Sequence, residues 1–142
     1  MFGPPGHAYV YFIYGFWNCL NVVTAAEDVP HAVLLRALEP VKGITERTCG
    51  PGLLCRAMDI DRGLNGADLC AEALWIERPP EAPTMRIGRS ARIGVDYAGP
   101  WARRPWRFFD RDSPHVSKAR PIPGPKRGRA APRAASGRDQ VP

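Results

Sequence analysis

Tyr9, Tyr11, Tyr14, Phe16, Trp17 and Asn21 crowd into one short stretch near the start of the chain. Tyrosine and tryptophan offer flat π-faces with a polar handle, and a carboxamide such as Asn21 can both donate and accept a hydrogen bond. That combination suits the binding of a flat polar ring. Arg36 is the next residue that stands out. It sits amid Val33, Leu34, Leu35, Ala37 and Leu38. An arginine there is either exposed at an edge or buried against a carboxylate, a carbonyl or water. A third group is cationic. Arg86, Arg89, Arg92, Arg103, Arg104 and Arg107 are interrupted by a single acid, Asp96. Such a cluster attracts phosphate backbones or forms a solvated face.

These residues must be positioned by local structure. Residues 8–14 and 18–24 are β-branched and aromatic runs around Gly15, which predicts a hairpin with its turn near Tyr14–Trp17. Strand periodicity puts Tyr9, Tyr11 and Ile13 on one face and Val10, Phe12 and Tyr14 on the other. Two readings stay open: a core hairpin with tyrosine hydroxyls at its rim, or a stacking platform with a bulky wedge at the turn. Residues 31–38, closed by Glu39-Pro40, predict a third antiparallel strand. Residues 53–58 predict a short helix, with Pro51 near its first turn. Residues 73–77 read as a strand, 86–95 as extended or loop-like, and 106–109 as a last strand.

The 142 residues, 44% hydrophobic, are enough for one domain with a core. The segment 119–142 holds six Lys/Arg against Asp139 alone, so it carries five of the net charges of +6. It is rich in Pro, Arg and Ala, and reads as a disordered basic tail following a domain at 1–118. The four cysteines form no C-x-x-C pair and the three histidines are scattered, so no metal site is read. No apolar run approaches the ~18 residues of a membrane span. The start resembles neither a signal peptide nor a transit peptide, and a strong strand follows within eight residues, as in a chain that begins mid-domain.

Several strings occur in one order: Met1-Phe-Gly-Pro-Pro-Gly6, Tyr11-Phe-Ile-Tyr-Gly15, Cys19-Leu-Asn21, Leu34-Leu-Arg-Ala-Leu-Glu-Pro40, Cys49-Gly-Pro-Gly-Leu-Leu-Cys55, Arg92-Ile-Gly-Val95 and Pro105-Trp-Arg-Phe108. Together they resemble the alkyladenine (3-methyladenine) DNA glycosylase family of mammalian type. The resemblance implies a base-excision repair hydrolase that cuts the N-glycosidic bond of flipped-out alkylated purines such as 3-methyladenine in double-stranded DNA, leaving an abasic site. It implies no cofactor and no metal, no membrane, a monomer, and a cytoplasmic, nucleoid-associated protein. It implies an α+β fold: a single mixed domain with a curved antiparallel sheet and short helices, incomplete at its N-terminus.

The resemblance also distributes roles. Tyr14 matches a wedge pushed into the minor groove, with Phe16 and Trp17 as its neighbours. Tyr11 matches a tyrosine that stacks on the flipped base, and Asn21 a pocket asparagine that discriminates purines. An electron-rich aromatic face suits a cationic alkylated base. Arg36 matches an arginine that helps hold the attacking water, and Ile93 a position whose backbone carbonyl does the same. Arg86, Arg89, Arg92 and Arg103 are read as DNA-binding. Water is a poor nucleophile, so this chemistry needs a carboxylate as general base. In the family that group is a Glu in an N-terminal segment upstream of the match; Glu27, Glu39, Asp59 and Asp61 do not correspond to it. The link from Pro40 to Cys49 is also short, where many relatives carry a longer basic connection. The alternative is a non-catalytic remnant that binds DNA.

Overall fold

The computed structural model describes residues 1–81 and 84–117. The expected basic tail, 119–142, lies outside the described residues.

The aromatic hairpin is present. Strands β1 (Ala8–Ile13) and β2 (Trp17–Val23) pair antiparallel, from Ala8 opposite Val22 to Ile13 opposite Trp17. Strand β3 (Ala32–Leu34) adds to the other edge of β2, with Leu34 opposite Asn21. It is shorter than expected from 31–38. Beyond Leu34 one more bond follows, Leu35 N–H to Leu20 C=O at 3.0 Å, and the chain then bridges Ala37 to Cys49. Arg36 therefore lies just past the paired part of the sheet.

Helix α1 (Pro51–Ala57) begins two residues before the expected start. Pro51 is suited to the first turn because its missing N–H would have no partner there. Leu54 and Cys55 turn inward and are fully buried. They meet Ala8 and Val10 of β1, Leu20 of β2, and Ile60 and Leu69 from the following loops. This is the main core cluster; Cys19 and Val23, on the other face of β2, are buried as well.

The second half of the described chain is sparser. Strands β4 (Ile87–Ser90) and β5 (Arg107–Asp110) pair antiparallel, Gly88 opposite Phe109. A 3-10 segment, Asp96–Arg103, joins them and is kinked at Gly99, whose φ is 54°. The architecture is α+β, but the expected single curved sheet is replaced by two: β1-β2-β3 and β4-β5, neither closed nor strongly curled. With strands this short and this few, the twist between neighbours does not accumulate into a curl. The expected strand at 73–77 is also absent. Ile76 keeps one bond to Leu69, and Trp75 and Ile76 stand more than half exposed. An apolar run of strand length needs a partner edge, and Pro79 and Pro80 stop this one from finding it.

Candidate nucleic-acid interface

The period of two in β1 and β2 separates the face that meets α1 from the opposite face. Ala8, Val10 and Leu20 point to α1. Tyr9 and Tyr11 share the opposite face, their ring centroids 5.6 Å apart and inclined by 31°. Across the ladder Tyr9 stands opposite Asn21 and Tyr11 opposite Cys19. Asn21 is buried, and its Nδ2 donates to the carbonyl of Tyr9 at 3.0 Å, which fixes the direction of its carboxamide. Burial pushes the Tyr11 phenol up to about 12, with Cys19 beside it acting in the same sense. Tyr11 is thus a neutral hydrogen-bond donor at any physiological pH. The Cys19 thiol is also raised by burial, against the opposing pull of Tyr11 and Arg36.

Arg36 joins this face. It is half-buried, and its affinity for its proton is lowered first by burial and then by a second guanidinium, Arg107. Its Nε is buried with no hydrogen-bond partner among the described residues. Arg107 is buried too. It donates to Ser90 Oγ at 3.2 Å and to the Ser117 carbonyl at 2.6 Å, tying β5 to β4 and to the segment that follows. Two neighbouring cations, with no carboxylate acting on Arg36 among the described residues, form a place that attracts an anion. In the sequence Arg107 reads only as a member of the cationic cluster, with no place beside Arg36. The signal for it is the one that exposed Arg36: a lone cation inside an apolar strand, Trp106-Arg-Phe-Phe109.

The hairpin tip is built differently. Tyr14 and Gly15 have φ of 56° and 75°, and Phe16 N–H reaches back to Ile13 C=O at 3.4 Å. Two consecutive positive φ values are what a type I′ turn requires, and Gly and Asn usually supply them. A tyrosine in the left-handed region costs about 1–2 kcal/mol. Here it leaves Tyr14 76% exposed and Phe16 67% exposed. The base of the tip is held. Trp17 lies 5.3 Å from the Phe16 ring, packs flat on Gly52 of α1, and carries the Arg56 guanidinium 5.3 Å from its centroid. A strained, projecting aromatic on a fixed base has the form of a wedge.

The remaining predicted residues spread along the β4–β5 side. Arg86 is exposed and pairs with Asp112 at 3.2 Å. Arg89 lies over Phe108 at 5.0 Å and Arg92 over Trp106 at 5.4 Å. Arg103 is exposed at the end of the 3-10 segment. Ile93 is partly buried in the loop after β4, and its carbonyl accepts no hydrogen bond among the described residues. The structure thus brings Tyr11, Asn21 and Arg36 to one face, sets Tyr14, Phe16 and Trp17 at one tip, and leaves the other arginines as an outer belt.

A family model for methylpurine-DNA glycosylase matches residues 1–114. The chain belongs to this family. Its relatives include proteins with the provisional name 3-methyladenine DNA glycosylase. One from Methanocella arvoryzae is 52% identical over 135 residues, covering 85% of this chain and 66% of the relative. One from Anaeromyxobacter dehalogenans is 55% identical over 122 residues, covering 85% and 58%. One from Myxococcus xanthus is 49% identical over 134 residues, covering 93% and 66%. The chain therefore spans about six tenths of the length of the curated relatives it matches. No helix among the described residues is long and apolar enough to cross a membrane.

Proposed function

We propose that this chain carries the lesion-recognising part of a DNA glycosylase that removes alkylated purines from duplex DNA, working as a monomer on nucleoid DNA in the cytoplasm. The observation that carries the reading is the pairing of a strained, exposed Tyr14 with an adjacent face bearing Tyr11, Asn21 and Arg36. An enzyme that acts on a base must take it out of the stack, at a cost of a few kcal/mol that is smallest for a damaged pair. In this reading Tyr14 fills the space the base leaves, and Phe16 and Trp17 support it. Tyr11 stacks on the extruded ring. A cationic alkylated purine gains from an electron-rich face, and Tyr11 stays neutral and can donate a hydrogen bond as well. Asn21, held by Tyr9, presents a fixed polar edge that tests the exocyclic groups of the purine.

Hydrolysis needs water aimed at the sugar carbon and a base to take its proton. Arg36 and the Ile93 carbonyl are assigned the positioning of that water. Among the described residues, Arg36 has a buried donor to spare and Ile93 an unused acceptor. The proton acceptor would be a carboxylate drawn to the Arg36–Arg107 pair. Among the described residues, none of the charged groups that act on Arg36 is a carboxylate. That observation favours a second reading, a damage-specific DNA binder with no excision of its own, since removing a general base lowers rates by about 10²–10⁴.

The two are separated by incubating residues 1–142 with methylated duplex DNA and quantifying free methylpurine. Release above the spontaneous rate supports the glycosylase reading. Binding of duplex DNA with an abasic-site mimic, without release, supports the second. Neither release nor preference for the abasic duplex would remove both.

A further inference from the structure

Outside the hairpin and its pocket, the segment from Arg89 to Phe109 forms an aromatic and guanidinium ladder. Trp101 and Trp106 stack with centroids 5.6 Å apart and planes 20° from parallel. Arg92 lies 5.4 Å from the Trp106 centroid and Arg104 5.4 Å from that of Trp101. Arg89 over Phe108 at 5.0 Å extends the pattern onto the β4–β5 ribbon. Both indoles are more than half exposed, at 53% and 51%. Large aromatics are usually covered, so two half-open, mutually stacked indoles need a reason.

A guanidinium held over an indole keeps its N–H groups directed outward in its own plane; Arg92 spends one of them on the Trp101 carbonyl at 3.4 Å, which ties it to the second indole. It also holds a long side chain in one place, so less freedom is lost when an anion binds. The charge here is not cancelled internally. Asp96 is the one acid between Arg86 and Phe109, and the ion pair found among the described residues joins Arg86 to Asp112, at the far end of the ribbon. The Arg92 Nε is buried and has no hydrogen-bond partner among the described residues. A row of held, uncompensated cations matches a row of phosphates. Duplex DNA offers one negative charge per ~1.7 Å of axis.

We propose that the Arg92–Trp106–Trp101–Arg104 stack is a phosphate-gripping rail that holds duplex DNA whatever its sequence or damage, separate from the hairpin that senses the lesion. The inference rests on the reading of this chain as a DNA-acting protein. It adds Trp101, Trp106 and Arg104 to the interface and assigns them affinity, not damage preference. Arginine supplies the charge and tryptophan the alignment, so the two residue types have different signatures.

The test is fluorescence anisotropy of residues 1–142 with an undamaged duplex and with the same duplex carrying an abasic-site mimic, across a salt series. Arg104→Gln is expected to weaken both duplexes equally and to lower the slope of log affinity against log salt by about one. Trp101→Leu is expected to weaken both by about two- to fivefold with the slope unchanged, because the charge remains. Thermal unfolding identifies a Trp101→Leu protein that has lost its fold, in which case Arg104→Gln alone decides. A wild-type slope for Arg104→Gln, or a loss confined to the abasic duplex, overturns the rail. Its failure is distinct from failure of the glycosylase reading: binding both duplexes equally through an intact rail would sink only the latter.

Discussion

Replacing Tyr14 with glycine separates the stability of the hairpin from its proposed work. The left-handed backbone at Tyr14, φ 56°, costs about 1–2 kcal/mol with a tyrosine and almost nothing with glycine. Glycine costs roughly 0.5–1 kcal/mol through the freedom it gives the unfolded chain. The residue is 76% exposed, so only a quarter of it is covered. That is roughly 50 Å², or about 1 kcal/mol at roughly 25 cal/mol per Å². The contributions nearly cancel, and Tyr14→Gly should stay within about 1 kcal/mol of the parent stability. Truncating a core aromatic instead costs about 3–5 kcal/mol. Urea unfolding followed by tryptophan fluorescence measures this. The same variant should lose the stacking of the wedge, about 1–3 kcal/mol, so the preference for abasic-mimic over undamaged duplex should fall roughly 5- to 150-fold. A stability loss of about 3 kcal/mol or more, or an unchanged preference, would show that Tyr14 is a core residue and not a wedge.

Arg36→Met should leave the fold as stable as before or more stable by up to about 2 kcal/mol, read by urea unfolding, because a half-buried cation with no anion beside it among the described residues is replaced by an apolar chain; a large loss would show that Arg36 has a structural partner. Gly52→Ala places a methyl group against the Trp17 ring, and should cost about 1–3 kcal/mol and disturb the hairpin tip; unchanged stability and unchanged Trp17 emission would contradict that packing. The Tyr11 phenol should ionise near 12 in an ultraviolet titration. Its folded value lies above the ordinary value of 10.0, so the folded state keeps the proton longer than the unfolded one. Its contribution to stability is therefore complete below pH ~10 and declines from there toward ~12; a phenolate forming at the ordinary value would show that Tyr11 is solvated.

Much of the first half of the chain is legible in its sequence, because local signals agree there. The alternation in β1 and β2 places Tyr9 and Tyr11 on one face and Val10 on the other, and Gly15 marks the turn. Pro51 marks the start of α1. What is not legible is relational. Arg36 reads as an odd cation in an apolar run, but its neighbour Arg107 lies 71 positions away and is brought close only by folding. Residues 73–77 have strand composition and no edge to join. The single curved sheet comes from the family resemblance, and nothing in residues 86–95 says that β4 will pair with β5 alone. The left-handed conformation of Tyr14 is hidden for a further reason: the sequence puts a bulky aromatic where the turn favours Asn or Gly, and only the backbone angle reveals that strain.

Both readings of function share one claim, that the hairpin and the face beside it recognise a gap in the base stack. The most direct measurement is the ratio of affinities of residues 1–142 for a duplex containing an abasic-site mimic and for the same duplex undamaged, at one fixed salt concentration. A wedge that fills the vacated stack, with stacking worth about 1–3 kcal/mol, predicts a preference of roughly 5-fold or more for the abasic duplex. Equal affinities would contradict it.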